Sequence, residues 1–416
     1  MVLETPMESP TASAADRRAL VVLGAVFLAL APVAVYARLG TIVLLMATLA
    51  AQPSFGAAMA TLRACSRSAT VRLGAVLAAW AAVTLFWTPA PDFVALLRVA
   101  VVPVLGLLLV AAVRGLPTAE VERLSRLTVI SGLTMLALLA LEVLSKGAIL
   151  AFVVPDPGPI APGQTPPIVE AAGRGAAVLA PLVFAYAALI YAQWGRIGPA
   201  AFFVVAAFGV CVASGMDAAW VAVLSSAIAF GIARIVPRLA LVGFFGGLAV
   251  YAVLAPVIST FLLTLDAVAS LGAQPWIGAR FRISIWQEAA RLIAEHPVLG
   301  YGFDATRVLS QTASTIPGTP WSALPLHTHN GFLQIWLELG GVGMGITLVL
   351  LAAAARALWP MTARPTHLAV TLATLTGTAA IALISFGIWQ HWWLATWMLA
   401  AALLILALRR SPVAPV

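Results

Sequence analysis

The sequence predicts an all-α polytopic membrane protein of about twelve transmembrane helices, with one large outward loop that contains short helices. Three observations carry this. Of the 416 residues, 62% are hydrophobic and only 9% charged, whereas soluble domains carry about a quarter charged residues. Apolar runs of the roughly 20 residues needed to cross a bilayer recur along the whole chain. The cationic residues fall between those runs singly or in pairs. The net charge of +8 therefore reports topology and makes no basic face for nucleic acid. Cys65 and Cys211 have neither disulfide-framework nor metal-ligand spacing and read as structural.

Residues 1–18 are polar and end in Asp16-Arg17-Arg18 without a small-residue cleavage site beyond, so the first helix is expected to remain as an uncleaved anchor. The twelve expected spans are 19–37, 39–59, 71–88, 92–113, 127–153, 175–193, 197–214, 217–235, 238–264, 329–357, 367–388 and 390–408. With the N-terminus in the cytoplasm, fifteen arginines fall inward, from Arg17 and Arg18 through Arg123 and Arg126 to Arg409 and Arg410. Only Arg38, Lys146 and Arg174 fall in the short outward loops. The positive-inside rule then places both termini in the cytoplasm. The organisation expected is helices 1–9 in residues 1–264, an outward loop over 265–328 and helices 10–12 in 329–416.

Two polar segments lie outward in this scheme. Residues 154–174 include the Pro- and Gly-rich stretch from Pro155 to Pro167, which reads as a semi-extended cover. Residues 265–328 contain a helical pattern from Phe281 to Glu295, stopped before Pro297, and then a Gly300-Tyr-Gly302 turn. At 100° per residue, Arg282 lies at the centre of the apolar face formed by Phe281, Ile283, Ile285, Trp286, Ala289, Ala290, Leu292 and Ile293. Ser284, Gln287, Glu288, Arg291 and Glu295 form the opposite, water-facing arc. A guanidinium within an apolar stripe calls for an anion, either a structural ion pair or a ligand phosphate. Arg280 and Arg307 could add to the same field.

The segment from His327 through Gly343 places ionisable groups at the mouth of the tenth helix. Asn330, Gln334, Glu338 and Gly341 recur at helical spacing and form a stripe that must face the protein interior, as polar substrate contacts or as interhelical hydrogen bonds. Gly340, Gly341, Gly343 and Gly345 are expected to admit a neighbouring helix. His329, at the water-exposed start, can serve as a neutral base near physiological pH. Chelation by His327, His329 and Asp304 is a weaker reading, because His-x-His alone lacks a full ligand set. The chain has no Asp-x-Asp pair for a magnesium-clamped nucleotide sugar, and its one lysine, Lys146, is not in a P-loop.

The pattern Arg282-x-x-x-Trp286, Pro297-x-x-Gly300-x-Gly302, then His329-Asn330, nine residues, Gly340, two residues, Gly343 resembles the O-antigen ligase family, which includes polysaccharide polymerases. The resemblance implies a GT-C-like membrane glycosyltransferase of the bacterial inner membrane, with its active site facing the periplasm. It implies an undecaprenyl-diphosphate-linked glycan donor, a lipid A-core or glycan acceptor, membrane lipids as surroundings, and neither cofactor nor nucleic acid. It makes His329 the group that activates the acceptor hydroxyl and Arg282 the diphosphate holder. Arg280, Arg174, Arg307, His327, Asn330, Gln334 and Glu338 are the candidate substrate-binding residues. One departure stands out: Ser214-Gly-Met-Asp217 has an aspartate where many ligases place an arginine at the outer start of the eighth helix. Arg174 could substitute. The alternatives are a polymerase on the same carrier and a transporter of lipid-linked sugar. The latter would show broken helices at the bilayer midplane, and the hydropathy pattern shows none.

Overall fold

The computed structural model describes residues 13–153, 167–262, 277–313, 315 and 322–410. The Pro/Gly-rich stretch from Pro155 lies outside them except for its last residue, Pro167. The helices are α1 (Ala14–Tyr36), α2 (Thr41–Ala47), α3 (Phe55–Cys65), α4 (Ala69–Thr84), α5 (Phe93–Gly115), α6 (Thr118–Leu144), α7 (Leu150–Val153), α8 (Pro167–Leu179) and α9 (Val183–Trp194). They continue as α10 (Ile197–Ala213), α11 (Asp217–Ile235), α12 (Pro237–Val257), α13 (Ile277–Glu295), α14 (Thr306–Thr312), α15 (Gly331–Leu358), α16 (Pro365–Ile384) and α17 (His391–Arg410).

Among the described residues, nine helices are long and apolar enough to span a membrane, or ten if a bent pair counts as one span. This corrects the expected twelve. The run 39–59 becomes α2 and α3, which meet at 111°. The runs 71–88 and 197–214 form α4 and α10, of 16 and 17 residues. At about 1.5 Å per residue these fall short of a hydrocarbon core of roughly 30 Å. The protein is nonetheless an all-helical, multi-pass membrane protein.

The span Val169–Trp194, built from α8 and α9, is the innermost, with 83% of its apolar window buried against 22% for Pro237–Phe261. Around it α1 packs on α6, α5 on α17, and α11 on α16. Small residues set the closest crossings. A Cβ at Gly377 would stand 3.2 Å from the Pro181 Cα and 3.5 Å from the Ala180 carbonyl. At the end of the α5–α17 pair, Arg409 donates from Nη1 to the Val113 carbonyl at 2.6 Å and from Nη2 to the Leu116 carbonyl at 2.7 Å. It thereby satisfies helix-terminal acceptors that α5 leaves open.

The outward loop expected over 265–328 does not stand apart among the described residues; it folds into the bundle. The helix α13 covers the predicted 281–295 pattern and packs on α12 and α15. Ile283, Ile285, Ala289, Ala290, Leu292 and Ile293 are buried as the wheel requires, and Arg291 and Glu295 are exposed. Ser284, Gln287 and Glu288 are part-buried, not water-facing, because α13 is enclosed on more than its apolar stripe.

The chain then re-enters the bundle. Gly340 has φ 64° and ψ −167°, which breaks α15, about 14 Å from the helix start at 1.5 Å per residue. In an unbroken helix the Leu337 and Glu338 carbonyls would accept from the amides of Gly341 and Val342. Here they accept from Tyr301 N at 2.9 Å and Gly302 N at 2.8 Å, while Gly341 N and Val342 N donate to the carbonyls of Pro297 (2.8 Å) and Val298 (3.3 Å). Trp80 Nε1 donates to the Leu339 carbonyl at 3.0 Å and Trp87 Nε1 to the Gly300 carbonyl at 3.3 Å. The segment 297–302 therefore splices itself into the helix and pairs the backbone groups that the break exposes, as a low-dielectric surrounding demands. This corrects two expectations. A broken helix is present, and Gly340 and Gly341 admit a backbone segment and not a neighbouring helix.

Both motif glycines follow from this contact. Gly300 and Gly340 have φ of 68° and 64°, and a Cβ on Gly300 would stand 2.6 Å from the Glu338 carbonyl, one on Gly340 2.3 Å from the Val298 carbonyl. The clash is with backbone that cannot swing aside. Gly300→Ala or Gly340→Ala is expected to destabilise the folded protein by about 3 kcal/mol or more. Gly345→Ala, with nothing within 4 Å of the added carbon, is the control. Detergent-solubilised thermal unfolding of the three variants is the measurement, and equal midpoints would refute the splice.

Candidate active site

The site is built where α15 begins. Asn330 has extended backbone and its Oδ1 accepts from Phe332 N at 3.0 Å and Leu333 N at 3.1 Å, an N-cap that satisfies the first free amides of α15. Its Nδ2 donates to the hydroxyl of Tyr251 on α12. The Thr328 hydroxyl donates to the Asn330 carbonyl at 2.7 Å, and the Thr328 carbonyl accepts from Trp286 Nε1 of α13 at 3.1 Å. These bonds leave His329 between two fixed neighbours at φ 53°, a left-handed backbone that non-glycine residues rarely adopt and that clusters at functional sites.

The two histidine rings lie tilted against each other, with centroids 4.2 Å apart and planes at 58°, and His329 N donates to His327 Nδ1 at 3.3 Å. Phe281 presents its ring edge-on to His329 at 6.2 Å. Burial pushes His327 down to about 3, helped by the charges of His329 and Arg307. Burial and the Arg282 charge push His329 down to about 4, while a hydrogen bond that its ring donates to the Ser385 backbone carbonyl favours its proton. Both rings are neutral at physiological pH. Burial also disfavours the charge on Arg282, whose Nε is enclosed without a partner, as is His329 Nδ1.

Asp217, the residue that departs from the family pattern, is the charge that opposes this effect on Arg282. It lies at the start of α11, exposed, and accepts from Trp220 Nε1 at 3.3 Å. Among the described residues no carboxylate comes within 4 Å of the Arg282 guanidinium.

The structure thus brings Arg282, His327, His329 and Asn330 together. Glu338 is wholly buried, and its carboxylate accepts from Asp304 N (3.0 Å), the Thr306 hydroxyl, Gln334 Nε2 (3.1 Å) and Trp389 Nε1. Gln334 Oε1 accepts from Ile388 N at 3.0 Å. Arg307 donates from Nε to Asp304 at 2.7 Å and keeps 53% of its side chain exposed. Arg174 pairs with Glu170 on its own helix. The side chain of Arg280 lies outside the described residues. Among those residues no three His, Cys, Asp or Glu side chains form a metal-sized group.

Sequence reasoning missed the loop 385–390, which lies against both histidines. A Cβ on Gly387 would stand 3.0 Å from that of His327. The aromatic cluster around Trp389, His391, Trp392 and Trp393 at the mouth of the last helix was the available signal. Tyr251, a lone hydroxyl in an apolar helix, was another.

Every residue of this central cluster except the 385–390 loop falls in one stretch that matches a family, the one described as O-antigen ligase, over residues 201–348. Residues 201–348 are an O-antigen ligase family domain. The chain is also 34% identical over 134 residues to a protein of Rickettsia conorii, and equally to one of Rickettsia felis, each match covering 31% of this chain and 32% of the relative. A Rickettsia prowazekii protein is 32% identical over 127 residues, or 30% of this chain and 31% of the relative. All three are provisionally named polysaccharide ligases. The chain thus spans about a third of the length of the curated relatives it matches. The ligase domain holds Arg282 and both histidines.

The depressed histidines give a pH prediction. A ring with an unfolded pKa of 6.5 and a folded value of about 3 (His327) or about 4 (His329) binds its proton only in the unfolded state between those limits. Stability contributed by both is therefore complete above pH 6.5 and is lost as pH falls toward 4. The thermal midpoint should drop over that window, and the drop should be shallower in a His327→Gln, His329→Gln variant. Parallel curves for variant and wild type would contradict the burial of the pair.

Proposed function

We propose that the protein is a glycosyltransferase that moves a glycan from undecaprenyl diphosphate to an acceptor hydroxyl, lipid A-core or a similar glycan, at the periplasmic face of a bacterial inner membrane. The observation that carries this reading is the pair of enclosed, unpartnered atoms, Arg282 Nε and His329 Nδ1, in a site where, among the described residues, no carboxylate comes within 4 Å of the guanidinium. Buried polar atoms without partners are costly, and a diphosphate at Arg282 with a hydroxyl at His329 supplies both partners. The arginine distribution supports the periplasmic orientation.

With Nδ1 unpaired, the Ser385 bond falls to Nε2–H, which leaves the Nδ1 lone pair to take the acceptor hydroxyl's proton. The hydroxyl oxygen attacks the anomeric carbon while the bond from that carbon to the diphosphate oxygen breaks, and the electron pair leaves with the diphosphate. Direct displacement inverts the anomeric centre. The guanidinium fork of Arg282 meets the charge that develops on the leaving group, so no carboxylic acid or divalent metal is required. A bound diphosphate also cancels the Arg282 field that holds His329 down, which makes the ring a stronger base when the donor is in place. Arg307, with its exposed fork, Arg280 and Arg174 remain candidates for outer contacts to the glycan or diphosphate, and His327 and Asn330 line the acceptor side.

In purified, lipid-reconstituted protein kept in EDTA, His329→Ala should lower turnover by about 100-fold or more, within the range of a general base, and leave donor affinity unchanged. Arg282→Lys should lose both turnover and donor affinity, since an ammonium cannot reproduce the fork. Arg234→Ala, whose side chain bonds Thr366 elsewhere, should match wild type. Wild-type rates in folded His329→Ala and Arg282→Ala proteins would refute the site. A polymerase on the same carrier would instead yield lipid-linked products of increasing chain length.

A further inference from the structure

Gln334 and Glu338 lie one and two turns below Asn330 on the same face as the site, yet the protein uses all of their hydrogen-bonding atoms except one amide hydrogen of Gln334. Both Glu338 oxygens accept from two donors each, Oε1 from Thr306 and Gln334, Oε2 from Asp304 N and Trp389. Gln334 joins the Glu338 carboxylate to the backbone amide of Ile388. Two of these contacts, Trp389 and Ile388, belong to the loop between α16 and α17. That loop begins at Ser385, whose backbone hydrogen-bonds the His329 ring, and passes His327 at Gly387. Phe303, its ring tilted against Trp389 with centroids 5.4 Å apart, packs on the loop.

We infer that Glu338 and Gln334 are positioning residues for His329: they fix the 385–390 loop, and the loop's Ser385 backbone holds the His329 ring in one tautomer and one orientation. The inference rests on the reading of His329 as the base. The physical argument is that a neutral imidazole has a donor and an acceptor nitrogen, and the partner of one decides which the other is. Among the described residues nothing else makes that choice, since Nδ1 is unpaired and His327 contacts the backbone amide of His329 and not its ring nitrogens. The Ser385 carbonyl can fix the ring only if the loop is itself fixed, and its polar anchors to α15 are the two residues on the inner stripe.

Trp389→Phe removes the Nε1–H donor to Glu338 while keeping an aromatic ring against Phe303, so it loosens the anchor without emptying the core. The experiment uses full-length protein in detergent with 15N-labelled histidine, the His329 signals being assigned from their loss in His329→Ala. Wild type should show one His329 tautomer, and Trp389→Phe a mixture of two at unchanged signal for His367. In the transfer assay kcat should fall on the order of 10- to 100-fold, as for other partners that orient a reacting group, with donor affinity within about two-fold by the same principle. Gln334→Glu, which replaces the amide donor to Glu338 by a second carboxylate, should give the same mixture and the same split. An unchanged tautomer in both variants overturns the inference, as does a loss of donor affinity that accounts for the fall in activity, because the two residues would then be substrate ligands. A tautomer mixture with unimpaired transfer overturns the reading of His329 as the base and leaves the hydrogen-bond relay standing.

Discussion

The arrangement depends on the exchange of backbone hydrogen bonds at Gly340. A break in a helix within an apolar bundle exposes amides and carbonyls that cost several kcal/mol each if left unpaired. The segment 297–302 pairs four of them, and that exchange fixes the end of α13 to the middle of α15. Arg282 lies on the first of these helices, and His329 lies just ahead of the second. Their separation is therefore set by rigid backbone and not by a mobile loop, which suits chemistry that relies on placement and electrostatics.

Around the exchange, the inner stripe of α15 is paired, whereas Arg282 and His329 keep open atoms. Glu338, four hydrogen bonds deep, is saturated, whereas Arg282 Nε and His329 Nδ1 are left open. On the proposed reading, the contrast separates residues that build the site from residues that face its occupant. Asp217 fits the same scheme. It favours the Arg282 charge from the start of α11 without forming an ion pair, so it opposes the effect of burial on the guanidinium without occupying it. The aspartate that reverses the family pattern thus cooperates with the arginine of α13.

Much of this was legible in the sequence and some was not, for identifiable reasons. The α13 wheel placed Arg282 on the inner face, and the four-residue spacing from Asn330 to Glu338 placed that stripe inside, because both features obey helical periodicity. The break at Gly340 was invisible, since apolar character continues through it and a glycine at positive φ looks the same as one in a helix. Its partner, Gly300, was visible only as a turn, with nothing to say what the turn enters. The span count erred where length and hydropathy disagree with shape. Pro53 lies at the bend that splits the second run, and α4 and α10 are apolar but short. The loop 385–390 was missed because the backbone groups of Ser385 and Ile388 carry no residue signal and the Trp389 indole sits in an aromatic run that reads as an ordinary helix mouth.

The wiring of the site also bears on how it can have been inherited. The family match ends at residue 348, but the donors that complete it come from elsewhere: Trp80 and Trp87 from the first quarter of the chain, and Trp389 from the last helical hairpin. Two indole N–H groups from α4 and the turn after it, and a third from the loop before α17, thus hold the Leu339 carbonyl and Glu338 carboxylate of the broken helix and the Gly300 carbonyl of the segment spliced into it. The recognisable motif is accordingly not a portable module. Grafted onto another bundle, it would bring its glycines and histidines without the tryptophans that make the break tolerable, so drift in the flanking helices is constrained by a segment they do not resemble.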